Sequence, residues 1–170
     1  MNKDDVKAPV ITPWNEALKP AGLKYVRDGL GWKINQDGAT NGCLEAFTRL
    51  EFGVKTDEPA QCKLDLELKD TYDEMTYLFG ETNLYSEEHA QTKFRVPNPF
   101  EDESAGEVPS IHNDGVFTMY VRCRDANGNG ADSAPLPLRF CVQKGPDAKA
   151  PVIESFSIPD GSPVTFEIDK

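Results

Sequence analysis

Oxygen-bearing side chains alternate in the run Asp125-x-Asn127-x-Asn129-Gly130-x-Asp132. Side chains at every second position can aim at one hard cation, and glycine permits the sharp turn such a loop needs. The run therefore reads as the start of an EF-hand-like calcium loop. The twelfth position, where a bidentate acid would close the loop, is Leu136, and the residues ahead of Asp125 alternate as a strand does. A polar hairpin turn accounts for the same residues. A second acidic group, Glu101, Asp102 and Glu103 with Glu107, could hold a cation or a partner, or simply be a solvated loop. Trp14 and Trp32 are the candidates for a sugar-stacking platform, and packing at a core edge is their plainer role.

Catalytic arrangements are absent from the sequence. It holds no nucleophile elbow, His-Glu-x-x-His pair, phosphate loop or dinucleotide fingerprint. His89 stands beside Glu87 and Glu88, and His112 lies in the acidic stretch, but closeness in sequence to acids does not make a dyad. The expectation is a chain that is not an enzyme and needs no cofactor, calcium being the one ion its residues suggest.

The strands that would position these groups are read from period two. Leu50, Phe52 and Val54 alternate with polar neighbours until Thr56-Asp57-Glu58-Pro59, which should break the run. Cys62, Leu64, Leu66 and Leu68 alternate next, then Phe117, Met119, Val121 and Cys123, then Leu138, Phe140 and Val142. One apolar face per strand is the mark of antiparallel strands covering a core on one side. Asp125-Ala126-Asn127-Gly128-Asn129-Gly130 supplies the turn between the last two. Helix has little place, beyond a turn around Tyr72-Asp73-Glu74-Met75. The long acidic stretch 97–115 reads as a loop. Several short strands joined by polar turns predict an all-β chain, an antiparallel β-sandwich.

Strand parity also assigns the four cysteines. Cys62 shares a face with Leu64, and Cys123 with Val121 and Met119, so both point inward. Cys141 has the opposite parity to Phe140 and Val142 and should face away from the core. A bridge between an inward and an outward side chain suits disulfide geometry poorly, which leaves the pairs Cys62–Cys123 and Cys43–Cys141. Widely spaced cysteines in even number suit an oxidising compartment, outside the cell or on its surface. No zinc-type spacing joins them to a histidine.

Charge narrows the partners. Eighteen basic residues against 29 acidic ones give a formal charge of −11, which argues against nucleic acid and against anionic lipid. No apolar stretch is long enough to span a bilayer, and Met1–Asp5 has no signal-peptide core.

Asp5-Val6-Lys7-Ala8-Pro9-Val10-Ile11 recurs as Asp147-Ala148-Lys149-Ala150-Pro151-Val152-Ile153. Two module entrances would make 8–149 one complete module and 150–170 the first strands of the next, or a strand-exchanging tail. The runs Val54–Cys62 and Tyr120–Asn129, with Tyr72-Asp73-Glu74-Met75 and His89 between them, resemble bacterial immunoglobulin-like and fibronectin-type-III-like surface modules. The resemblance covers roughly 48–143. It implies a sandwich used in tandem as spacer, stalk or adhesin, partnered by neighbouring modules, copies of itself, a surface glycan or a protein receptor. Against it stand a missing Trp on the Cys62 strand and a missing Tyr two residues before Cys123. Residues 12–42 read as an elaboration on that pattern. The leading expectation is a non-catalytic structural or adhesive module, and the alternative a module binding carbohydrate or making calcium-dependent contacts.

Overall fold

A computed structural model describes residues 4–97 and 115–143. Eight strands and three short 3-10 turns make up its regular structure: β1 (Ile11–Pro13), β2 (Leu23–Asp28), β3 (Gly31–Gln36), β4 (Arg49–Asp65), β5 (Tyr77–Leu78), β6 (Ser86–Arg95), β7 (Val116–Asp125) and β8 (Leu136–Cys141). The chain is all-β in its described part, as period two requires. The strands form one hydrogen-bonded sheet in the order β1-β4-β7-β8-β3-β2, with β5 and β6 also on β4. Its pairs are antiparallel except β3 with β8, where Trp32 and Lys33 run parallel to Leu138 and Arg139. The expected two-sheet antiparallel sandwich is corrected to a single mixed sheet that curls nearly into a barrel.

The curl originates in β4. Its even-numbered residues Leu50, Phe52, Val54, Ala60, Cys62 and Leu64 are buried, so one inward parity runs through the whole strand. The expected break at Thr56–Pro59 does not occur, and 17 residues continue through it. Ala60 pairs with Ser86 of β6 on one edge and with Asp125 of β7 on the other. Earlier in the strand, β1 holds the edge that β7 later takes, pairing at Val54 to Thr56. Pro59 sits where one edge partner has ended and the next has not begun, so its missing N–H is not needed in a ladder. The register with β6 also slips between Lys55 and Ala60, and such an irregularity bends a strand.

Residues 12–42 are not an appendage. They supply β1 and the β2–β3 hairpin, whose two-residue loop starts at Gly29 with φ 57°, a conformation glycine adopts without strain. Ile34 of β3 is fully buried in the common core. Tyr25 of β2 reaches across to β4: its hydroxyl donates to the Gly53 carbonyl at 2.8 Å and accepts the Gly53 N–H at 3.1 Å. Burial holds the Tyr25 hydroxyl far above the ordinary tyrosine range, with the Gly53 bond opposing, so it stays protonated and donates. Lys19 and Glu51 add a backbone bridge nearby. These contacts bring the last strand in the order back to the second, which is what nearly closes the sheet.

The core is aromatic at its centre. Phe52 meets Phe79 and Phe94 edge-on at 5.7 Å each, and Phe94 meets Phe140 at 5.9 Å. Phe140 and Phe117 lie 5.0 Å apart. Edge-to-face pairs contribute about 1 kcal/mol each beyond their buried area. The Tyr72–Met75 segment is a turn and not a helix, with Tyr72 buried beneath Lys63 and Arg124, 4.8 and 4.2 Å from its ring. Leu68, expected to continue the Cys62 alternation, lies past the strand end and is exposed. The second module entrance, the segment 150–170, Glu101, Asp102, Glu103 and His112 lie outside the described residues.

Candidate functional site

The two disulfides are Cys62–Cys123 and Cys43–Cys141, the pairs that strand parity selects. Cys62 and Cys123 are direct register partners on neighbouring strands, 4.1 Å apart at Cα. Both are inward and buried, so this bridge staples β4 to β7 inside one sheet. Cys43 follows the 3-10 turn Thr40–Gly42 and meets the last residue of β8. The segment at Cys43 is further held by Leu44, whose N–H donates to the Cys141 carbonyl at 2.8 Å. It covers Cys141, which is buried although it points away from the core.

The Asp125 loop is organised by its own hydrogen bonds. Asp125 Oδ1 accepts the backbone N–H groups of Asn127 and Asn129, both at 2.8 Å, and its Oδ2 accepts the Asn129 side-chain amide at 2.8 Å. The carboxylate thus folds the turn around itself. Asn129 turns its amide nitrogen inward, also donating to the Asp5 carbonyl at 2.8 Å, and Asp132 is exposed. Asp125 and Asn129 are thus bonded to each other within the turn.

Three carboxylates gather beside this turn. Carboxylate oxygens of Asp5, Glu58 and Asp125 all lie within 4.8 Å of one another. Asp5 is carried in by the segment ahead of β1, which is fastened where Val10 donates to Asp57 at 2.7 Å. Glu58 comes from the bend of β4 and Asp125 from the end of β7, two strands that meet at Ala60. No lysine or arginine pairs with the trio among the described residues. The Glu58 carboxyl is held above its ordinary range, by desolvation first and then by the Asp5 and Asp125 charges. An all-oxygen set of this kind suits a hard cation such as calcium, which takes six to eight oxygens, and does not suit zinc. Sequence reading found Asp125 and missed Asp5 and Glu58, because no spacing joins residues 53 and 67 positions apart.

Trp14 and Trp32 each pack beside a cation. Trp14 packs on Gly53, where a Cβ would come within 3.0 Å of its ring, and Lys55 lies over it at 5.0 Å. Trp32 sits on β3 with Arg27 over its ring at 5.1 Å. Each is half-buried under its own cation. Among the described residues the exposed rings are Phe47, Tyr77 and Tyr85, the two tyrosines close in sequence to exposed Leu78 and Leu84.

Besides Asp125 and Thr56, three polar side chains are buried among the described residues. His89 is buried on β6, its Nε2–H donating to the Ser86 carbonyl at 2.9 Å, with Nδ1 unsatisfied and Phe79 edge-on. Burial pushes its pKa below the ordinary value, the Ser86 bond opposing, so it is a neutral packing residue. Asp65 accepts the N–H groups of Glu67 and Thr76 at 3.0 and 2.8 Å. Desolvation raises its carboxyl, but these donors outweigh it and the net shift is downward. Arg122 donates from Nη2 to the Lys69 carbonyl at 3.1 Å while Nε and Nη1 find no acceptor. No protein-family model, curated protein or solved structure matches the chain.

Proposed function

We propose that this chain is a non-catalytic structural module of a larger extracellular protein, of the immunoglobulin-like or fibronectin-like kind in use if not in strand order. The observation that carries the reading is the nesting of its cross-links. The Cys43–Cys141 bond spans 98 positions and encloses the Cys62–Cys123 bond, which spans 61. A pull on the two ends of the described chain is therefore carried across the 43–141 bond, and the strands between are shielded from extension. Two disulfides fit an oxidising compartment, and no helix among the described residues is long and apolar enough to cross a membrane. The parallel β3–β8 pair and the in-sheet staple differ from the resembled modules, so the likeness is one of role. Labelling of intact source cells and their medium tests this. Protein found outside the cell with all four cysteines oxidised is the expected result, and a cytosolic pool with free thiols rejects it.

A second reading, calcium-dependent contact, is favoured by the Asp5, Glu58 and Asp125 trio. On that reading millimolar calcium raises Tm by mass action, and Glu58→Gln removes the rise without touching the turn that Asp125 organises. An unchanged melting curve with calcium or chelator leaves the trio as a solvated acidic corner.

A further inference from the structure

Near the beginning of β4 the charge logic of the molecule reverses. Arg49 of β4 and Arg95 of β6 are direct register partners, so their side chains leave the same face of the sheet side by side. Like charges directly opposite one another destabilise a strand pair. Lys93, two residues before Arg95 on the same strand face, adds a third cation. Together the three line a cavity of about 200 Å³. Among the described residues, two nearby acids are engaged: Glu81 with Lys93 at 2.7 Å and Glu51 with Lys19 at 3.2 Å. Arg49 and Arg95 form no ion pair among the described residues. In a chain of charge −11, two exposed guanidinium groups that share one small space, without an ion pair among the described residues, make a local excess of positive charge.

We propose that Arg49, Lys93 and Arg95 form a binding site for one compact oxyanion, a carboxylate or a sulfate group. Two guanidinium forks offer paired N–H donors in the geometry that planar or tetrahedral oxyanions accept. The lysine beside them takes part by exchanging its Glu81 partner for the ligand. The space suits one such group with a few waters, at about 30 Å³ per water. A long polyanion is disfavoured because the rest of the molecule repels it, so the ligand is a single acidic group on an otherwise neutral carrier. The site stands apart from the acidic trio and does not depend on the module reading.

Titration of the isotope-labelled full chain tests the proposal, with sodium sulfate, sodium acetate and galacturonate each compared against sodium chloride at equal ionic strength. Saturable amide shifts confined to the 49–51 and 91–97 segments, with a rise in Tm, are expected. Arg49→Gln and Arg95→Gln should each weaken binding about tenfold or more, the loss expected for a charge-assisted hydrogen bond. Without ligand, Arg95→Gln should melt higher than the parent at low salt, since it relieves the cross-strand repulsion. That second readout also shows that the variant folds. A response to sulfate alone assigns a sulfate ester as the ligand group. A response to galacturonate and acetate assigns a carboxylate, with a sugar carrier if galacturonate is the tighter. Shifts no larger than those with chloride, or spread over the surface, overturn the site.

Discussion

The two halves of β4 are built on the same parity but held by different means. From Arg49 to Lys55 the strand lies between β6 and β1, and its grip is packing: Phe52 between two aromatic rings, and Gly53 under Trp14 and Ala17. From Ala60 to Asp65 it lies between β7 and β5, and its grip is covalent, through Cys62 and Cys123. Charge divides along the same line, with cations gathered at the first end and carboxylates at the bend. A single strand thus joins a close-packed region, with three cations at its end, to a cross-linked region that begins at an acidic bend. The first half should answer to changes of side-chain volume and the second to redox state.

Removal of the staple is the largest expected break. Replacing Cys62 and Cys123 together by Ala should cost about 4 kcal/mol in the chain-entropy model, read from urea denaturation. The loss should fall on the second half, so amides of β7 should lose hydrogen-exchange protection before those of β6. Uniform loss across both strands would show that the halves are not separately held. Gly53→Ala is the matching break in the first half. An added Cβ would stand 2.7 Å from the His89 carbonyl and 2.9 Å from Ala17, and overpacking of this kind costs about 1–3 kcal/mol. It should do so equally with the disulfides reduced.

Acid should open the halves in sequence. His89 of β6 has a folded pKa below its unfolded value of about 6.5. The unfolded chain therefore binds the proton first, and stability falls as pH drops below that value. Asp65, in the second half, has a lowered folded pKa. Its contribution is present above the unfolded carboxylate range and is lost only as pH falls through the folded value. Denaturation midpoints between pH 7.5 and 5 should thus decline in the parent and decline less in His89→Phe. An identical decline would remove His89 from the account. The smallest effect belongs to the bend. Glu58→Gln relieves repulsion from Asp5 and Asp125 and should raise Tm by about 1 °C at low salt, fading as salt is added. A fall in Tm would mean that the Glu58 charge is paired.

The parts legible in the sequence are those where burial and period agree. Phe117, Met119, Val121 and Cys123 alternate cleanly because β7 is buried on one face, and that same parity was enough to sort the cysteines. β6 left no such trace. Ser86–Arg95 is polar almost throughout, with only His89 fully buried, and its strand state comes from pairing with β4 and not from its own pattern. The β2–β3 hairpin did carry a signal, Asp28-Gly29 between alternating residues, which a reading of 12–42 as an elaboration passed over. Pro59 misled in the opposite direction: as a local breaker it ends a strand, yet an edge with no partner at that point tolerates it. The acidic trio could not be read at all. Its members are far apart in sequence and meet only because β7 replaces β1 along one edge of β4.

Stretching single molecules by their ends tests the central claim, that nested cross-links let the module carry load. With both bonds intact, residues between 43 and 141 should contribute nothing to the unfolding length. Full reduction should add the 98-residue separation, roughly 340 Å at about 3.5 Å per residue. Replacing Cys43 and Cys141 alone by Ser should add less, since 98 less 61 leaves 37 residues, roughly 130 Å. That two-step release, the smaller gain for the outer bond and the larger one on full reduction, is the result the nested cross-links require. Equal unfolding lengths for the oxidised and reduced protein would contradict them.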